Sequence, residues 1–173
     1  MQNYAVVLYP DKKGLIRLMN LMSGSLMVDY GIKPHITLSV FGSRSELAAK
    51  WAYKRLAPLL RPAKLYYHDV LLSGKDVLYA ESKRSENLNH DLRVTDETLF
   101  QYFGFARVTS EISLDDWAAL TAVAYSVDRF DMFMYSRYIA RVFKPFDCVA
   151  NSAALVRLDP FTELYVTKLR RTD

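Results

Sequence analysis

Blocks of apolar and polar positions succeed one another along the chain, and their periods predict strands and helices in alternation. Residues 4–9, YAVVLY, are apolar on both alternating sets, the pattern of a strand buried on both faces, and Pro10 ends it. Asp11 is placed to cap a helix in which Leu15, Leu18, Met19 and Met22 recur at helical spacing, weakened by Gly14 and Gly24. Gly31 and Pro34 lead into a second strand, His35 to Phe41. Its period of two predicts His35, Thr37 and Ser39 on one face and Ile36, Leu38 and Val40 on the other. Ser43 or Ser45 opens a second helix to about Leu60. Its predicted buried side is Leu47, Ala48, Trp51, Ala52, Leu56 and Leu59, with Pro58 in its last turn or at a kink.

Lys64–Leu72 and Asp76–Glu81 read as a hairpin joined around Ser73-Gly74-Lys75. A third helix is predicted from Glu86 to Phe100, with Leu88, Leu92 and Leu99 inward, and Gly104 ends that region. A strand is expected at Phe105–Ile112. Ser113 then caps a predicted fourth helix, with Asp115 and Asp116 in its first turn and Trp117, Leu120, Thr121 and Ala124 along one side. Residues 129–146 fit two readings: Tyr135, Tyr138, Ile139 and Val142 have helical spacing, and MFMY could equally start a strand. Closing strands are expected at Ala153–Leu158 and Glu163–Leu169, separated by Asp159-Pro160. With no linker to divide them, residues 1–173 read as one α+β domain, a mixed or antiparallel sheet covered by helices.

Composition narrows the class. A hydrophobic content of 51% is enough to fill a core, and no apolar run approaches the roughly 18–20 residues of a membrane span. The opening MQNYAVVLYP has neither the basic start nor the cleavage site of a signal peptide. The single cysteine, Cys148, excludes an internal disulfide and a zinc site built on several cysteines, and is expected to be a buried thiol. A cytoplasmic protein is the expectation. The net charge of +4 suits a phosphate-bearing ligand and suits solvated helix faces as well. Much of the excess falls in Lys168-Leu169-Arg170-Arg171, with more in Lys12-Lys13, Lys50, Lys54-Arg55 and Lys83-Arg84.

The chemistry concentrates in Pro34-His35-Ile36-Thr37. An imidazole moves a proton near neutral pH, and a hydroxyl two residues on donates to a phosphate oxygen. The opening YAVVLYP, the helix after it, GIKPHITLSVFG, the helix–hairpin–helix order and the ending FDCVANSAALVRLDPFTELYVTKLRR together resemble the 2H phosphoesterase superfamily, which includes RNA 2′,5′-ligase-like proteins and cyclic phosphodiesterases. The resemblance covers nearly the whole chain. It implies two pseudo-symmetric lobes, each lending a His-x-Thr strand to a central cleft, with one histidine as base, the other as acid, and no metal or cofactor. The implied partner is a nucleotide, a cyclic oligonucleotide or an RNA end.

The second motif departs from that pattern. His68 and His90 are the other histidines, and neither has Thr or Ser two residues later. The strand expected after the third helix reads Arg107-Val108-Thr109, arginine standing where histidine should; Arg93-Val94-Thr95 has the same form inside the helix candidate. A guanidinium grips phosphate but does not exchange protons near pH 7. The expected site is therefore His35, Thr37, Arg107 and Thr109, with Tyr66, Tyr67, Tyr135 and Tyr138 as candidates for stacking on a base. Two functions follow from it: metal-independent cleavage of a 2′,3′-cyclic phosphate, a 2′-5′ linkage or a cyclic oligonucleotide, or sequestration of such a ligand without turnover.

Overall fold

The computed structural model describes residues 1–22, 31–73, 76–108, 116–125 and 128–170. The chain opens with β1 (Gln2–Pro10), α1 (Lys12–Met22), β2 (Ile36–Ser43) and α2 (Glu46–Leu56). The hairpin β3 (Ala63–Ser73) and β4 (Val77–Lys83) precedes α3 (Glu86–Asp96), the short β5 (Ala106–Arg107) and β6 (Ala119–Tyr125). Helix α4 (Arg129–Val142) and strands β7 (Phe146–Leu158) and β8 (Phe161–Lys168) complete it. The strands form one antiparallel sheet in the order β5-β2-β1-β7-β3-β4-β6. The first part of β7 pairs with β3 and the second with β8, while its other edge pairs with β1. Strands β2 and β6, far apart in that order, nevertheless contact each other, so the sheet curls. The run β1-α1-β2-α2 recurs as β4-α3-β6-α4, which gives the α+β fold its two lobes.

One face of the sheet carries the helices. Tyr4, Val6, Leu8, Ile36, Leu38, Phe41, Leu65, Tyr67, Ala80 and Cys148 are buried there against Leu18, Ala52, Tyr53, Leu88 and Ile139. The other face holds a second cluster of Ala5, Val7, Tyr9, Ala154 and Val156, with Val40, Leu158 and Phe161 packed on it. The alternation of β1 between these two clusters is the strand period made visible.

Several predicted faces turn out rotated. Leu21 is buried where Met19 was expected, and Met19 is exposed. In α2 the inward stripe is Ala49, Ala52, Tyr53 and Leu56, while Leu47, Trp51 and, in the turn beyond, Leu59 are exposed. Ser45 caps this helix through the Ala48 N–H, and the two alanines let it approach closely enough for the Tyr53 hydroxyl to donate to the Ala153 carbonyl at 2.8 Å. The predicted fourth helix is a strand from Ala119: Ala119 and Thr121 are buried opposite Ser82 and Ala80, so pairing with β4 overrides local helical spacing. Ser113 and Asp115 lie outside the described residues. Residues 129–142 resolve as helix, capped by Asp128.

Candidate functional site

His35 stands one residue before β2, beside the end of β1. Thr37 pairs with Val7 and Ile36 with Leu8, so the threonine faces the cluster that excludes the helices. The His35 ring meets Tyr9 edge-on at 6.2 Å and stacks on Phe161 at 5.7 Å. Its Nδ1 lies 2.7 Å from the Lys33 carbonyl oxygen. A carbonyl only accepts, so Nδ1 carries the hydrogen and the neutral ring keeps its lone pair at Nε2. Burial lowers the pKa of His35, opposed by the Lys33 bond and by the charge of Glu163. The imidazole is therefore neutral at pH 7, in the form that takes up a proton.

Three further groups complete the surroundings. Glu163 Oε1 accepts from Lys33 Nζ at 2.7 Å, and the same ammonium sits 5.6 Å from the centre of the Tyr9 ring. The Tyr9 hydroxyl is buried without a well-formed hydrogen bond, although it lies within the field of Glu163; burial first and that charge second raise its pKa. Lys33, Tyr9, Phe161 and Glu163 were not singled out in the sequence. The one hint was a carboxylate inside an apolar closing strand.

A bulge changes the expected faces of β2. Val7 pairs with Thr37 and Val6 with Ser39, which leaves Leu38 as an extra residue. Beyond it Val40 pairs with Ala5 and joins the His35 side, while Ser39 lies opposite Val6 on the helix side. The polar part of this strand face is thus His35 and Thr37 alone.

Arg107 does not join them. β5 pairs Arg107 with Phe41, at the far end of β2 and on its helix face. The guanidinium lies 3.8 Å from the centre of the Phe100 ring and is ion-paired with Asp96. The two partners hold it on the opposite side of the sheet from His35, so the expected His35–Arg107 pair is corrected. Thr109 lies outside the described residues, and Arg93 is in α3.

Strand β6 stands to β4 as β2 stands to β1. The residues it turns away from the helices, toward the His35 side of the sheet, are Leu120 opposite Glu81 and Ala122 opposite Tyr79. Neither carries a proton. Tyr67 is fully buried with its hydroxyl 2.7 Å from Thr121 Oγ1, which removes it from the stacking candidates. Tyr66 is partly exposed, stacked on His68 and covered by Lys83; Tyr135 and Tyr138 lie on α4, half-buried and exposed. His68 Nε2 is 3.9 Å from Glu81 Oε2, in the other lobe, and His90 meets the Leu59 carbonyl. Cys148 is buried beneath α1, its thiol pushed up to about 12 by that burial. Among the described residues no group of three or more His, Cys, Asp or Glu is placed to hold a metal ion, and no helix is long and apolar enough to cross a membrane.

No family model matches the sequence, and no curated protein matches it. Solved structures do resemble it in fold. A crystal structure of a phosphoesterase aligns over 98% of this chain and 99% of its own with a TM-score of 0.62 at 10% identity. TT0787 of Thermus thermophilus aligns over 99% and 100%, with a TM-score of 0.64 at 15% identity. E. coli LigT complexed with 3′-AMP aligns over 98% and 99%, with a TM-score of 0.60 at 13% identity.

Proposed function

We propose, from the 2H phosphoesterase fold of this chain, that it binds the phosphate of a nucleotide or RNA end at His35 and Thr37 and works with one histidine where the fold provides for two. The observation that carries the reading is the state of His35: neutral, its Nδ1–H engaged by a main-chain carbonyl and its Nε2 free to accept. Thr37, two residues on and on the same side, can donate to a phosphate oxygen. The 3′-AMP bound to E. coli LigT supports a nucleotide as the ligand class.

Chemically, Nε2 can take the proton of a water that attacks a 2′,3′-cyclic phosphate. A new P–O bond forms, the bond to one ribose oxygen breaks, and that oxygen must take its proton from solvent. We read β6 as the strand where the second motif would stand, and Leu120 and Ala122 supply no acid there. General acid assistance is worth about 10²–10⁴-fold, so binding outlasts turnover in this design.

The test is incubation with 2′,3′-cyclic nucleotides, 2′-5′ oligoadenylates and cyclic oligonucleotides, following both product and retained ligand. Retention with slow cleavage is the expected result, both lost in His35→Ala, with cleavage alone fading at acid pH as the ring protonates. Fast turnover that survives His35→Ala, or no retention of any ligand, overturns the reading.

A further inference from the structure

We infer that the groove between the end of α2 and β8 is a second ligand site, which takes the backbone of a single-stranded RNA leading away from His35. The inference rests on the nucleotide reading above. The groove holds about 1080 Å³ and is lined by Lys54, Pro58, Tyr165 and Arg170 among others, with no carboxylate among its described lining residues. Among the described residues no ion pair occupies Lys54 or Arg170. Glu46, earlier on α2, does not neutralise them: it is taken by Lys50 at 2.6 Å and Arg157 at 3.4 Å.

An aromatic ring stands beside Lys54. Lys50 Nζ and Lys54 Nζ lie 5.6 and 5.5 Å from the centre of the Tyr165 ring, which is 37% exposed. Cations that track a phosphate backbone, flanking a ring on which a base can stack, are the recurring means of holding a single strand. A duplex keeps its bases stacked on one another and offers none to the ring. An exposed cluster of like charges also attracts a polyanion over distance.

Strand β8 connects this groove to His35. The register shift between Leu155 and Val156 leaves Leu164 as an extra residue: Glu163 pairs with Val156, whereas Tyr165 pairs with Leu155. Val156 belongs to the His35 side of the sheet and Leu155 to the helix side. Phe161 and Glu163 therefore approach His35 and Lys33, while Tyr165 and Thr167 line the groove. Glu163 and Tyr165 are two residues apart, about 7 Å along a strand. Beside the second part of β7, β8 is an edge of the sheet, around which an extended ligand can pass from one face to the other.

The experiment uses a fluorescent 12-nucleotide single-stranded RNA with a plain 3′-hydroxyl, followed by anisotropy at 50 and 200 mM salt. Lys54→Glu with Arg170→Glu should weaken binding at least tenfold and flatten its salt dependence. Tyr165→Ala should weaken it with the salt dependence kept. The same oligomer ending in a 2′,3′-cyclic phosphate should bind more tightly to the wild type, and His35→Ala should abolish that gain. A Lys54→Glu, Arg170→Glu variant that melts like the wild type yet binds the plain oligomer equally overturns the groove. So does equal binding of duplex RNA or of an acidic peptide. Loss of the cyclic-phosphate gain alone, with the groove effect intact, would instead count against the His35 half-site.

Discussion

Asp91→Asn isolates a buried acid whose only assigned work is structural. Three side chains of α3 grip the segment after α2: Asn87 donates to the Pro62 carbonyl at 2.7 Å, His90 meets the Leu59 carbonyl at 3.1 Å, and Asp91 Oδ1 accepts from the Arg61 N–H at 2.9 Å. Asp91 is fully buried, and its Oδ2 has no hydrogen-bond partner. Burial holds the carboxyl at about 7 against 3.8, with the Arg61 N–H and charge opposing. The folded chain therefore keeps a proton that the unfolded chain has released, and stability falls as pH climbs from about 4 to about 7. The linkage relation puts the whole change at about 4 kcal/mol, of which about 3 lies between pH 5 and 8. Asparagine keeps the Oδ1 acceptor, cannot ionise, and leaves one buried N–H₂ unpaired at a cost of about 1–3 kcal/mol at every pH. Urea unfolding of both proteins should show the variant weaker at pH 5 and level with or stronger than the wild type at pH 8. A difference between the two that stays constant within about 0.5 kcal/mol across that range refutes the buried-acid argument.

Other substitutions probe the fold and the half-site. Gly14→Ala would place its Cβ 2.7 Å from Cys148 Sγ and 2.8 Å from Pro10 Cβ, so it should cost about 1–3 kcal/mol in chemical denaturation instead of the usual gain for a helical alanine. Arg107→Ala should lower stability by about 1 kcal/mol, through a half-exposed ion pair and a ring contact. It should leave nucleotide retention unchanged by equilibrium dialysis. Leu120→His combined with Ala122→Thr should raise cleavage of 2′,3′-cyclic nucleotides by about 10²-fold or more in a product assay, as expected when an acid is restored; a folded variant that stays at the wild-type rate speaks against β6 as the second motif strand.

The first lobe was legible because its signals are local. Strand β1 reads as doubly buried, Asp11 caps α1, and Ile36-Thr37 open β2 where the alternation predicts a strand. Strand β6 was misread because Trp117, Leu120, Thr121 and Ala124 recur at helical spacing, and only the partner β4 makes Ala119 and Thr121 a strand face. Trp51 looked like a core residue by its size, but the close approach of Ala49 and Ala52 sets the rotation of α2 and turns the indole outward. Arg107 was placed correctly on a strand but on the wrong side: what directs it is Asp96 and Phe100, which sequence spacing does not bring together. The bulges at Leu38 and Leu164 carry no glycine or other marker, so the faces beyond them could not be assigned from alternation alone.

The spare residue in β8 acts as a change of reading frame. Removing Leu164 would restore an unbroken two-residue period and invert everything downstream of it, carrying Tyr165 and Thr167 to the imidazole and sending Val166 and Lys168 beneath α2. With the offset in place, one short segment serves two compartments, and each half is free to vary under its own demands as long as the chain length between them is kept.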